Sequence, residues 1–129
     1  MRCPARPPGE HHLTTDRVPD AHLEGPATVT REATRIREQL ARVQERLHKL
    51  RAEQRVLAEQ VQHLADVLDD AETRKLVSQT PLADRDWRSA RDDHDRHARL
   101  LDEAHAGLAE LATERDRLLD RLIELEEDT

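Results

Sequence analysis

The chain has 129 residues, of which 38% are charged and 1% are aromatic, and its formal net charge is −7. This length suits one domain, and so few large apolar residues exclude a sizeable globular core. Cys3 is the single cysteine, so no internal disulfide can form, and no apolar run reaches the length of a signal peptide or membrane span. We therefore expect a cytoplasmic protein without a membrane partner, and nineteen Arg against two Lys favour a bacterial gene.

Residues 1–27 are the first predicted element. They hold five of the six prolines and two of the three glycines, with few apolar residues between them. A segment of this composition buries too little apolar surface to offset its conformational entropy. We predict a disordered N-terminal tail over residues 1–27 and a helical hairpin over residues 28–129.

A long first helix is predicted over residues 28–78. No Gly or Pro interrupts the chain between Thr28 and Pro81, and apolar residues recur at alternating steps of three and four. This spacing is that of a coiled-coil seam, the a and d positions of a heptad. The seam residues, with Gln54 as their one polar member, are Val29, Ala33, Ile36, Leu40, Val43, Leu47, Leu50, Gln54, Leu57, Val61, Leu64, Leu68 and Ala71.

A turn at residues 79–80 and a second helix over residues 81–127 complete the predicted hairpin. Thr80 suits the N-cap and Pro81 suits the first turn of this helix, where its missing N–H costs nothing. Nine of twelve seam positions in this helix are apolar. They are Trp87, Ala90, His94, His97, Leu101, Ala104, Leu108, Leu111, Arg115, Leu118, Leu122 and Leu125. Two matched seams joined by a short turn predict an all-α fold, an antiparallel coiled-coil hairpin.

The pairing register of the two helices is also predicted. If the numbers of facing residues add up to 158, a positions meet d positions and small residues meet large ones, as Ala90 meets Leu68. A total of 165, with the turn at residues 79–86, is the alternative. Residues 31–55 carry a net charge of +4 and residues 103–127 carry −5, so these facing segments attract each other.

A wider apolar stripe is predicted in the half of the hairpin near the turn. Besides the a and d residues, five apolar side chains occupy the neighbouring e and g positions. The e residues are Ala58, Ala65 and Ala98, and the g residues are Val67 and Leu100. Because two helices do not need so broad a stripe, we expect another helix to cover it, most simply in a homodimeric four-helix bundle.

Trp87 is the only aromatic residue of the chain. Its position beside the turn predicts that it covers the end of the seam against Ala71 or Leu68. A large ring near an acidic turn is also typical of residues that anchor a partner protein, and this is the alternative.

His94 and His97 are three residues apart on the seam, a spacing that lets two imidazoles reach one metal ion. The residues expected opposite are Val61 and Leu64, which cannot be ligands. We therefore predict no metal site and interpret the two histidines as a polar interruption of the seam that sets register or partner choice.

The sequence lacks the usual signs of catalysis. It contains no Gly-rich phosphate loop and no nucleophile paired with a base, so we expect no enzyme and no cofactor. It also contains no uniformly basic face and no aromatic platform, so we expect no nucleic-acid ligand. The pattern favours a non-catalytic coiled-coil protein that binds other proteins, as a scaffold or assembly subunit.

One local motif suggests a different function. The stretch Trp87-Arg-Ser-Ala-Arg-Asp-Asp-His94 resembles the Tyr-His-Ala-Ala-Arg-Glu-Glu-Gln stretch of bacterial transcript-cleavage (Gre) factors, although the Asn-containing tip motif of that family is absent. Those factors insert a helical hairpin into RNA polymerase and use acids at its tip to help hold a catalytic magnesium ion. The resemblance implies a regulator of transcription in which Asp84 and Asp86 are the tip acids.

Overall fold

The computed structural model describes the backbone of residues 8–128 and the side chains of residues 27–128. This part of the chain forms two helices and no strand: α1 spans Pro8–Ser78 and α2 spans Pro81–Asp128. The predicted all-α helical hairpin is therefore confirmed.

Helix α1 begins at Pro8, earlier than the start at Thr28 that the sequence predicts. The prediction placed a helix break at Pro26. A proline inside a helix removes one backbone donor and crowds the carbonyl group four residues earlier, which can kink a helix without ending it. Residues 1–7 of the predicted disordered tail lie outside the described residues, as do the side chains of residues 8–26. The division into a tail and a hairpin stays a prediction.

The end of α1 depends on the backbone conformation of Gln79. This residue has a φ angle of 52°, in the left-handed region that terminates many helices. Its N–H donates a hydrogen bond to the carbonyl oxygen of Lys75 at 3.0 Å, which satisfies one of the carbonyl groups left free at the helix end. Glycine is the usual residue at such a position, so Gln79 adopts it at some cost in strain.

The start of α2 is the predicted N-cap. The N–H of Ala83 donates a hydrogen bond to Oγ1 of Thr80 at 3.2 Å, and the N–H of Asp84 donates to the carbonyl oxygen of Thr80 at 3.0 Å. Pro81 then occupies the first helical position. Only residues 79–80 separate the two helices, and this turn combines a left-handed helix end with a capped helix start.

The chain divides into two compact units. The terminal unit contains residues up to 41 together with residues from 117 onward, and the turn unit contains Arg42–Asp116. In the terminal unit, a small core of predicted seam residues is buried between α1 and α2. It consists of Ala33, Ile36 and Leu125, with Val29, Leu40, Leu118 and Leu122 packed against them.

Two ion pairs join α1 to α2 in the terminal unit. Arg121 binds the Glu32 carboxylate through two nitrogens, at 3.0 and 3.1 Å, and Arg37 contacts Glu126 at 3.5 Å. The hydrogen bond from Arg121 holds the pKa of Glu32 below its ordinary value. The Arg37–Glu126 pair matches the predicted attraction of a basic α1 segment for an acidic α2 segment, whereas the Arg121–Glu32 pair has the opposite polarity. The exposure of both pairs keeps each contribution to stability small.

The core of the turn unit consists of predicted seam residues together with Ala83, which precedes the predicted seam of α2. Leu47 is the most deeply buried large side chain in the described part of the chain, with 1% of its surface exposed. The other buried residues of this unit are Val43, Ala71, Ala83, Ala90, Ala104 and Leu111. Most of these buried residues are alanines. Their small side chains let the two helices approach closely, and the core between the helices is thin.

The register of the turn unit is the one with facing numbers near 158. A Cβ on Gly107 would lie 2.9 Å from Cδ2 of Leu50, which pairs residues whose numbers add up to 157. Gln54 contacts His105 at 3.3 Å, a pair that adds up to 159. The alternative total of 165 would put Leu50 opposite Arg115 and is wrong.

Candidate interaction surfaces

The carboxylate of Asp84, a predicted tip acid, is held by two cations. It lies 2.8 Å from a guanidinium nitrogen of Arg88 and 3.7 Å from Nζ of Lys75. Asp84 is half-buried, whereas Asp86 is exposed. The acidic character expected at the turn is therefore largely neutralised on Asp84 and reaches solvent mainly through Asp86.

Trp87 is half-buried beside the turn. Nζ of Lys75 lies 3.6 Å from the centroid of its ring, and Cζ of Arg91 lies 4.8 Å from it. Both distances are those of cation–π contacts. Lys75 contacts both this ring and Asp84, so it links the end of α1 to the start of α2.

The turn presents apolar side chains that the sequence analysis did not select. Leu76 is 66% exposed, Val77 is 79% exposed and Leu82 is 58% exposed. They occupy b and c positions of the heptads, which are usually polar because they face water. Apolar residues at these outward positions are the sequence signal that could have identified this cluster.

A groove opens between α1 and α2 in the turn unit, with a volume of about 630 Å³. Its apolar lining includes Leu57, Val56 and Leu100, and Glu53 and Glu103 also line it. Val56 is 55% exposed and Leu100 is 42% exposed, so the apolar lining faces solvent. Of these residues, the sequence analysis identified only Leu100 as a candidate.

The five residues of the predicted wide stripe do not form one surface. In a heptad the e and b positions lie on one side of the seam, and the g and c positions lie on the other. Ala58, Ala65 and Ala98 are half-buried at e positions, whereas Val67 is half-buried and Leu100 exposed at g positions. The prediction of a single stripe is corrected to two surfaces on opposite sides of the seam.

We name these surfaces by their heptad positions. The c/g surface contains the exposed groove residues and two of the turn residues; the b/e surface contains the three alanines and Leu76. Between residues 56 and 100, the c/g residues are Val56, Gln60, His63, Val67, Asp70, Arg74, Val77, Leu82, Asp86, Ser89, Asp93, Arg96 and Leu100.

The polar seam residues have local partners. Gln54 Nε2 donates a hydrogen bond to Nε2 of His105 at 3.3 Å, a contact that the sequence analysis missed because it placed only Ala104 opposite. His97 Nδ1–H donates to the carbonyl oxygen of Asp93 at 2.9 Å, and His94 Nδ1 lies 3.3 Å from the carboxylate of Asp95. Within residues 27–128, no group of three or more His, Cys, Asp or Glu side chains is arranged to hold a metal ion.

Comparisons with known proteins assign no family to the chain. No protein-family model, no curated protein and no solved structure matches it. In the part of the chain that the structure describes, neither helix has a segment both long and apolar enough to span a bilayer.

Proposed function

We propose that this chain is a non-catalytic coiled-coil protein of the bacterial cytoplasm that acts by binding protein, as a scaffold or assembly subunit. The observation that carries the proposal is the placement of large apolar side chains outside the core of the turn unit. Val77 and Leu82 are more than half exposed, while most buried positions of the same unit are alanines.

Burial of this apolar surface against a partner would be favourable, since each Å² removed from water contributes about 25 cal/mol. Val56 and Leu100 line an open groove, so a helix or a turn of a partner protein can enter from the side. The groove lining has few polar groups, which favours an apolar segment of a protein over a small polar ligand.

The alternative function, regulation of transcription through an acidic tip, has less support. A carboxylate that helps to hold a magnesium ion must be available to it, and Asp84 is already engaged by Arg88 and Lys75. Three large apolar side chains near the turn, those of Leu76, Val77 and Leu82, are exposed. Such a turn is better suited to contact a protein surface than to position a metal ion.

Site-specific photocrosslinking in cells that express the chain tests the proposal. A photoreactive residue at Val77 or Val56 is expected to crosslink to protein, either to another copy or to a different chain. The same residue at the exposed position Arg99 serves as the control and is expected to give much less product. Absence of protein adducts from Val77 and Val56 would contradict the proposed function.

A further inference from the structure

We propose that the c/g surface of the turn unit is the interface of an antiparallel homodimer with two-fold symmetry. This inference rests on the proposed function and identifies the partner as a second copy of the chain. In such a dimer, the groove of one copy receives the exposed turn residues of the other. Every contact then occurs twice, because a two-fold interface joins the same surface of both copies.

The apolar residues of the c/g surface are arranged symmetrically about one point. On α1, Val67 lies midway between Val56 and Val77, eleven residues from one and ten from the other. On α2, residue 91 lies midway between Leu82 and Leu100. In the observed register residue 91 faces residue 67. A single two-fold axis, perpendicular to the helices at this level, therefore relates α1 to α1 and α2 to α2 of the second copy.

This axis pairs the apolar clusters of the two copies. Rotation about it brings Val77 and Leu82 of one copy onto Val56 and Leu100 of the other, and it brings Val67 onto itself. The exposed turn side chains of one copy would thus enter the groove of the other, which has a volume of about 630 Å³. The same rotation therefore brings the exposed apolar turn residues of one copy against the exposed apolar groove residues of the other.

The charged residues of the c/g surface are complementary under the same rotation. Arg96 and Asp86 lie five residues on either side of residue 91, so each meets the other across the axis. On α1, the imidazole of His63 meets the carboxylate of Asp70, to which a ring N–H can donate a hydrogen bond. The rotation brings no two like charges of this surface face to face, which favours a second copy as the partner.

The remaining polar pairs are also compatible with contact. Gln60 meets Arg74, and Asp93 meets Ser89, so each charged group faces a neutral hydrogen-bonding side chain. In the single chain Arg96 contacts Asp93 at 3.0 Å, but this pair is exposed. A guanidinium group has five donors, so Arg96 can bind Asp86 of the second copy without losing Asp93.

The overlap is large enough for a stable dimer. Residues 55–79 of α1 and the facing part of α2 extend over about 36 Å at 1.5 Å per residue. Two helices side by side are about 20 Å wide, so each copy contributes on the order of 700 Å² to the contact. Stable interfaces of standard size bury about 800 Å² per partner.

Charge reversal across the proposed axis provides the test. In Arg96→Asp and in Asp86→Arg, each homodimer has two like-charge pairs, whereas a mixed dimer of the two variants has two opposite-charge pairs. Sedimentation equilibrium is expected to show a dimer for the wild type and at least about tenfold weaker self-association for each variant alone. An equimolar mixture is expected to dimerise as tightly as the wild type.

A matched control lies on the opposite surface. Ala65→Glu adds a charge to the b/e surface and is expected to leave the dimer intact, while Leu82→Glu on the c/g surface is expected to give a monomer. Circular dichroism must show that each variant keeps its helix content. A wild-type monomer at about 100 μM would overturn the inference, since stable interfaces of this size hold at lower concentration.

The remaining outcomes distinguish failure of the proposed dimer from failure of the proposed function. Failure of the two charge variants to mix would overturn the inference, as would a dimer that Ala65→Glu disrupts. A monomeric chain that crosslinks through Val77 to a different protein would also overturn it, yet would leave the proposed function in place. Enzymatic activity of the hairpin would refute the function without affecting the dimer.

Discussion

Replacement of Leu47 by alanine should destabilise the hairpin more than replacement of any exposed leucine. Leu47 is 1% exposed, so its truncation removes three fully buried carbon atoms. At about 0.8 kcal/mol per methylene the transfer loss is about 2.4 kcal/mol. The cavity left behind adds to this, because a rigid pair of helices closes it only in part, and we expect a total of about 3 kcal/mol.

The assay is urea unfolding followed by circular dichroism at one fixed protein concentration, since self-association shifts apparent stability. With an m-value of about 1.5 kcal/mol/M, the midpoint of Leu47→Ala should fall by about 2 M. If this variant does not fold, Leu47→Met serves in its place. Methionine conserves the volume, so we expect a loss below about 1.5 kcal/mol.

The control is Leu76→Ala in the same unit. Leu76 is 66% exposed, so only about a third of the transfer loss applies and its truncation should cost less than about 1 kcal/mol. Equal losses for the two alanine variants would refute the described core and the register on which it depends.

The remaining predictions concern the turn and the terminal ion pair. Thr80→Ala removes the side-chain acceptor of the first turn of α2 and should lower the free energy of unfolding by about 1 kcal/mol, measured by urea unfolding. Gln79→Gly relieves the left-handed strain at φ 52° and should raise that free energy by up to about 1 kcal/mol in the same assay, whereas Gln79→Ala should not. The lowered pKa of Glu32 means that its bond with Arg121 stabilises the fold above the ordinary glutamate pKa and ceases to do so as the pH falls through the lowered value. Thermal melts at several pH values should therefore show Glu32→Gln less stable than the wild type at neutral pH and no less stable in acid; a constant difference would contradict the assigned cause.

The two-fold pattern of the c/g surface gives a reason for the exposed apolar turn. In a single chain, Val77 and Leu82 gain nothing from their exposure and increase the risk of aggregation. In the proposed dimer they are buried, while the thin core between α1 and α2 gains a second layer. Stability should then rise with protein concentration, which links the self-association of the chain to its folding.

The sequence by itself determined the fold class, the turn and the core of this protein. Alternating steps of three and four residues define one face of a helix, and Thr80-Pro81 defines a helix start, because both signals are local. Every predicted seam residue, from Val29 to Ala71 and from Trp87 to Leu125, is buried or half-buried. The sequence narrowed the register to two totals, 158 and 165, and the contacts of Leu50 with position 107 and of Gln54 with His105 decide between them.

The arrangement of the surface needed the tertiary structure. Heptad letters suggested one broad stripe, but the second helix separates the e residues from the g residues, so Ala65 and Val67 serve different surfaces. Likewise, the ion pair between Asp84 and Lys75 forms only because the folded turn brings the two residues near each other. Local spacing determines which side of each helix is apolar. Which part of that apolar side stays exposed depends on how the other helix packs against it.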